Sequence, residues 1–152
     1  MVSKEKDKSD VQLLESYLSL PYLASLENKV ICITGTSIGS LGYYTARVAV
    51  AKGAKLVILL NRDGVNAIAA EKDLCGYAAS LKKISGISSE VKSVSCDLSG
   101  LYWVKSAAIV VKELTEEYGG VDVLANCAGV CAMRDERTVV GFLFCLTCFI
   151  SL

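Results

Sequence analysis

From Lys29 onward, apolar and polar positions follow two alternating patterns. Short, mainly apolar runs are typical of strands buried on both faces, and longer segments between them carry apolar residues at helical spacing. The runs predict strands over residues 30–33, 56–60, 91–96 and 121–125. The intervening segments predict helices over residues 43–52, 66–84 and 105–118, each followed by glycine.

This order of elements predicts a doubly wound α/β fold with a parallel sheet. A crossover helix returns the chain to the same end of the sheet, so consecutive strands must run parallel. The length of 152 residues suits one domain. We expect an N-terminal extension at 1–27 with a short amphipathic helix, a nucleotide-binding domain at 28–142 and an apolar tail at 143–152. That helix would break or kink at Pro21 and pack on the domain, with partner binding as the alternative.

Charge and cysteine content exclude several classes of function. Sixteen basic residues balance sixteen acidic ones, so no net field favours nucleic acid or an acidic membrane. The chain has no histidine, which excludes Ser-His-Asp and Cys-His catalysis. Seven cysteines scattered through apolar runs favour reduced, buried thiols in an intracellular, cytoplasmic protein. The lone pair of Cys145 and Cys148 lacks a second ligand pair, so no metal site is expected.

A glycine-rich turn follows the first predicted strand. Residues 34–42 read TGTSIGSLG, and a predicted helix begins directly afterwards. Glycines let the backbone turn tightly and approach a ligand, and the helix start offers free N–H groups to a diphosphate. Strand, turn and helix stand in the order that dinucleotide-binding folds require. A helix-initiating turn without a ligand is the alternative.

The second predicted strand ends just before Arg62, 20 residues after Gly42. In dinucleotide-binding domains, an acid near this distance binds the ribose hydroxyls of NAD, whereas a base accepts the additional phosphate of NADP. Arg62 therefore favours NADP(H) over NAD(H). A surface arginine paired with Asp63 is the alternative.

Three motifs together resemble the short-chain dehydrogenase/reductase family, whose turn is TGxxxGxG and whose fourth strand ends in NNAG. They are Thr34-Gly35 with Gly39, then Cys96-Asp97-Leu98, and finally Asn126-Cys127-Ala128-Gly129. The segment 120–130 with Arg62 is most similar to the retinol dehydrogenase, WW-domain oxidoreductase and protochlorophyllide reductase branch. The resemblance covers residues 28–142. It implies a Rossmann NAD(P)-binding fold and hydride transfer between NADP(H) and an alcohol or carbonyl substrate.

The resemblance also assigns cofactor-binding roles to ten positions. The pyrophosphate and nicotinamide ribose would be surrounded by Gly35, Ser37, Gly39 and Leu41. Arg62 would select the 2′-phosphate, and Asp97 with Leu98 would meet the adenine. The central sheet and the cofactor ribose would be supported by Asn126, Ala128 and Gly129.

The glycine turn is one residue longer than the family pattern. Either Gly42 stands one position late, or Ser40-Leu41-Gly42 replaces the usual Gly-Ile-Gly. A sugar-nucleotide epimerase turn with one insertion is a further alignment, against which the Asn-x-Ala-Gly segment argues. We expect the additional residue to displace some N–H donors. Cys127 replaces the second Asn of NNAG, a small uncharged change.

No residue is assigned a catalytic role. The family uses a tyrosine followed four residues later by lysine, and none of the seven tyrosines has lysine at that distance. Only Tyr43 is followed there by a cation, Arg47, within the first predicted helix. We therefore expect the N-terminal, cofactor-binding half of such an enzyme, with a chain end that is not the family's own.

Two other readings remain open. One is a non-catalytic nucleotide-binding or regulatory module that pairs with a full-length relative. The other is a membrane-associated protein that uses the uncharged residues 139–152, which are fewer than the ~20 that a spanning helix needs. A fourth strand without a fifth neighbour would also be an apolar edge, which predicts homo-oligomers or aggregation and marginal stability.

Overall fold

The computed structural model describes residues 24–129 of the chain. Its strands are β1 (Val30–Thr34), β2 (Leu56–Asn61), β3 (Glu90–Ser95) and β4 (Val123–Ala125). Its helices are α1 (Leu41–Ala51), α2 (Val65–Ser85) and α3 (Leu101–Thr115), and a 3-10 turn at Glu116–Tyr118 follows α3. All seven predicted elements are present in the predicted order.

The strands form one parallel sheet in the order β3-β2-β1-β4. Strands β2 and β3 are added in turn on one side of β1, and the chain then crosses back so that β4 lies on the other side of β1. This reversal is the topological switch point at which doubly wound folds bind ligands. The doubly wound α/β prediction is therefore confirmed.

The core has two halves, one on each face of the sheet. Successive strand residues point to opposite faces, so Ile31 and Ile33 pack under α1 and α2, whereas Val30 and Cys32 pack under α3. Every residue of β1 and β2 is buried. This explains why both strands are apolar on both faces.

Three element starts differ from the predictions by two residues or more, and the first is that of α1, which begins at Leu41 rather than at residue 43. Helix α3 begins at Leu101, four residues before the predicted start, and its N-cap is Gly100, which offers no side-chain oxygen. Strand β4 begins at Val123 rather than at residue 121. The preceding Asp122 is nonetheless tied to β1, because its carboxylate accepts from the Val30 amide and from Lys29 Nζ, both at 2.8 Å. The lysine and the amide together lower the pKa of Asp122.

The described cysteines carry free thiols, and only part of the burial prediction holds. Cys32 and Cys96 are buried, Cys127 is half-buried, and Cys75 is exposed on α2. The remaining cysteines, the predicted N-terminal helix and the apolar tail lie outside the described residues. Among helices within residues 24–129, none combines the length and apolar character needed to cross a membrane.

Candidate functional site

A cleft of about 800 Å³ opens at the carboxyl ends of the strands. It is bounded by the glycine turn after β1, the ends of β2 and β3, and the segment after β4. Seven of the ten predicted cofactor residues line it: Gly35, Ser37, Arg62, Asp97, Leu98, Ala128 and Gly129. The fold thus brings together residues from four separate strand ends.

The glycine turn accommodates its additional residue as a projecting bend. The Ser40 amide donates to the Ser37 carbonyl at 2.9 Å, which closes a four-residue turn. Gly39 has φ +83° in this turn, a conformation that favours glycine. Ile38 at the tip is 56% exposed. The longer turn therefore projects outward before α1 begins.

Ser40 and Gly42 fix the start of α1 against β1. The Ser40 hydroxyl accepts from the Tyr43 amide at 3.1 Å and donates to the Gly35 carbonyl at 2.7 Å. A Cβ on Gly42 would lie 2.6 Å from the Gly35 oxygen, so only glycine allows this close packing. The helix start fits the alignment in which Ser40-Leu41-Gly42 replaces the family's Gly-Ile-Gly.

The end of β1 is fastened to the segment after β4. Thr34, which is 1% exposed, accepts at Oγ1 from the amides of Cys127 and Ala128, at 3.1 and 2.9 Å. Gly35 has φ +69°, and a Cβ there would lie 2.6 Å from the Ala128 Cα. The Asn-Cys-Ala-Gly segment is therefore held directly beside the glycine turn.

A buried polar pair connects the glycine turn to β2, and the sequence analysis did not identify it. The Thr36 amide donates to Asn61 Oδ1 at 2.8 Å, and Asn61 Nδ2 donates to Thr36 Oγ1 at 2.6 Å. Both side chains are buried. The sequence signal that could have revealed this pair is Asn61, a polar residue at the end of the apolar strand β2, one residue before Arg62. This pair fixes the strand end from which Arg62 projects.

The turn and helix start offer unused hydrogen-bond donors. Across the described part of the chain, no protein acceptor receives the amides of Ser37, Gly39, Leu41 and Gly42. The first amides of a helix carry partial positive charge. These donors therefore suit a ligand with anionic oxygens.

The other end of the cleft lies beyond β2 and β3. Arg62 is exposed there, and in the described region it forms no ion pair with Asp63 or with another acid. Asp97 accepts at Oδ1 from the Ser99 amide at 2.9 Å, and Leu98 is buried. Trp103 from the first turn of α3 also lines this end and was not predicted.

Three predicted residues lie outside the lining of the cleft. They are Gly39, Leu41, which is 72% exposed, and Asn126, which is also exposed. The assigned roles of all ten residues stay predictions. Cys127, at the position of the family's second Asn, does line the cleft, and its Sγ lies 3.9 Å from Thr45 Oγ1. Residues 24–129 contain no group of three or more metal-ligating side chains placed to hold an ion.

Comparisons with known proteins agree with this architecture. The short chain dehydrogenase family model matches residues 29–140. Galactitol 2-dehydrogenase of Agrobacterium fabrum is 32% identical over 69% of this chain and 34% of its own length. D-threitol dehydrogenase of Mycolicibacterium smegmatis is 30% identical over 74% of this chain and 38% of its own length. The chain thus spans about a third of the length of these relatives.

A solved structure supports the same relationship. The NADPH-dependent 3-quinuclidinone reductase of Rhodotorula rubra is 29% identical and superposes with a TM-score of 0.52. The match covers 74% of this chain and 38% of the reductase. The family model covers most of the chain, and the chain belongs to the short-chain dehydrogenase family.

Proposed function

We propose that the chain binds NADP(H) in the cleft at the strand ends, through a nucleotide-binding domain over residues 28–142. It would form the cofactor-binding part of an oxidoreductase that interconverts an alcohol and a carbonyl compound. The observation that carries this proposal is the convergence of the glycine turn, Arg62, Asp97 and Ala128 on one cleft. When bound, the cofactor supplies or accepts a hydride.

The donors and charges present fit the parts of a dinucleotide. The unused amide of Ser37, in the lining of the cleft, would hold the diphosphate together with those of Gly39, Leu41 and Gly42 just outside the lining, and each hydrogen bond to a charged oxygen contributes about 1.5–3 kcal/mol. Asp97 and Leu98 would contact the adenine. On the side of β4, the ribose next to the nicotinamide would meet Asn126, Ala128 and Gly129. Gly35 keeps that segment close to the turn, since any side chain there would displace Ala128.

Arg62 supports a preference for NADP(H). Its guanidinium is exposed at the rim of the cleft and has no acidic partner among residues 24–129, so it is available to a 2′-phosphate. A guanidinium binds phosphate through two parallel hydrogen bonds. The solved relative described above is NADPH-dependent, which supports the same choice.

Calorimetric titration of the purified chain with NADPH and with NADH tests the proposal. We expect Arg62→Ala to weaken NADPH binding about 10- to 100-fold, the range for one lost charged hydrogen-bond partner, and to leave NADH binding nearly unchanged. Lys72→Ala on α2 is the matched control, because Lys72 is an exposed cation away from the cleft. Folded chain that binds neither nucleotide contradicts cofactor binding. Equal losses for both nucleotides contradict only the NADP preference.

A second candidate function is a non-catalytic nucleotide-binding or regulatory module that associates with a full-length relative or with itself. The exposure of β4 favours it, because Val123 and Leu124 are each 43% exposed at the sheet edge. Sedimentation of the chain, alone and mixed with a full-length relative, tests this candidate. Leu124→Lys should abolish association, and Ile84→Lys, at the end of α2 and 83% exposed, should not. Association that survives Leu124→Lys contradicts an interface at β4.

Two finer assignments extend the proposal. The segment 120–130 with Arg62 supports placement in the retinol dehydrogenase, WW-domain oxidoreductase and protochlorophyllide reductase branch. The reduced cysteines support an intracellular, cytoplasmic location. Membrane contact through residues 139–152 is the competing location, and carbonate extraction of membranes distinguishes the two.

A further inference from the structure

Trp103 is the only tryptophan of the chain, and it stands at the end of the cleft beyond β3. It lies in the first turn of α3 and lines the cleft together with Asp97 and Leu98. About two fifths of its surface, 41%, is exposed. A large aromatic surface is therefore available to a ligand at this end.

Gly100 holds the indole in place. A Cβ on Gly100 would lie 2.6 Å from both Cε3 and Cζ3 of Trp103 and 3.8 Å from its Cδ2, so the Cε3–Cζ3 edge of the six-membered ring packs against the bare backbone of Gly100. The Trp103 amide also donates to the Gly100 carbonyl at 3.1 Å. Gly100 is buried and has an extended backbone that any residue can adopt. Glycine is therefore required at this position because it leaves room for the indole, not because of the backbone conformation.

The neighbouring residue provides a contrast. Tyr102 is 76% exposed, nearly twice the fraction of Trp103, and it does not line the cleft. General exposure of apolar residues at the start of α3 thus does not account for the position of Trp103.

We propose that the indole of Trp103 is the stacking surface for the adenine ring of the bound dinucleotide. This inference rests on the proposed cofactor function. Aromatic side chains stack on purines through the ring face, and the interaction requires no particular hydrogen-bonding pattern. Trp103 would therefore bind NADPH and NADH equally well, whereas Arg62 would distinguish between them.

Fluorescence of this single tryptophan reports directly on the contact. Titration of the full chain with 2′,5′-ADP, the adenine half of the cofactor, should quench the emission, whereas nicotinamide mononucleotide should not. By calorimetry, Trp103→Ala should weaken NADPH and NADH binding by a similar factor of about 10 or more. Trp103→Phe should lose less, and Gly100→Ala should lose affinity by displacing the ring. Tyr102→Ala is the matched control and should change affinity by less than about twofold.

Each outcome separates this inference from the function on which it rests. If folded wild-type chain binds neither nucleotide, both fail. If the wild type binds and a folded Trp103→Ala variant binds as tightly, the stacking role is overturned and cofactor binding stands. A loss for NADPH alone also overturns it. Should Trp103→Ala fail to fold, the wild-type fluorescence and Trp103→Phe decide, and an emission unchanged by 2′,5′-ADP overturns the inference.

Discussion

Strands β1 and β4 are hydrogen-bonded neighbours, and both read as apolar runs, yet their environments differ. All five residues of β1 are buried, whereas Val123 and Leu124 of β4 are each 43% exposed. Strand β1 has β2 on one side and β4 on the other. In the part of the chain that the structure describes, β4 pairs with β1 alone.

The difference shows that an apolar run indicates that a strand is suited to burial. Whether the strand is in fact buried depends on the elements that pack beside it. The two walls of the cleft differ in the same way. Its glycine turn and Arg62 stand on the buried pair β1 and β2, locked by Thr36 and Asn61. Its other wall, at Ala128, is held to that centre through the Thr34 hydroxyl.

The largest expected effect compares one leucine from each region. Leu59→Ala removes a fully buried side chain and should lower the free energy of unfolding by about 2–5 kcal/mol. Leu124→Ala removes a half-exposed one and should cost about 1 kcal/mol or less. Urea denaturation of both variants measures the two values. Similar losses would show that β4 is as well buried as the centre of the sheet.

Two glycines of one turn sharpen the comparison. Both have positive φ, but a Cβ on Gly35 would strike the Ala128 backbone, whereas one on Gly39 meets nothing within 4 Å. Gly35→Ala should therefore cost about 3 kcal/mol or more, and Gly39→Ala about 1–2 kcal/mol from backbone strain alone. Thermal unfolding compares them. If Gly35→Ala were the milder change, the segment after β4 would not be packed against the turn as described.

The smallest effect is a loss of stability at alkaline pH. Burial in β1 raises the pKa of Cys32 from 9.0 to about 11. The unfolded thiol ionises first, so the stabilisation is fully present below pH 9 and is lost as pH rises through the folded pKa. We expect the free energy of unfolding to fall by about 2–3 kcal/mol over this interval.

Cys32→Ala provides the control for that pH dependence. Burial and the hydrogen bond to Asp73 also raise the pKa of Tyr43, so a smaller decline should remain in this variant. Urea denaturation at several pH values measures both slopes. An identical decline in wild type and Cys32→Ala would assign the effect to other groups.

The sequence predicts the order of elements well because mainly apolar runs and helix-terminating glycines are local signals. It misses the start of α3, since Gly100 lacks the side-chain oxygen by which helix caps are recognised. It also misses the pairing of Thr36 with Asn61, because 25 residues separate two polar side chains that meet only in the folded sheet. Trp103 is missed for a similar reason, as its cleft position depends on how α3 meets β3.

Under the proposed function, the Thr34 hydroxyl bears on when the nucleotide site forms during synthesis. Its two amide donors, on Cys127 and Ala128, come 93 and 94 residues later in the chain. During synthesis, the glycine turn and Arg62 would emerge from the ribosome long before these two amides. Contacts between such distant positions form slowly. Under the proposed function, the nucleotide site would therefore be completed late in folding, and nucleotide binding would show that β4 has joined the sheet.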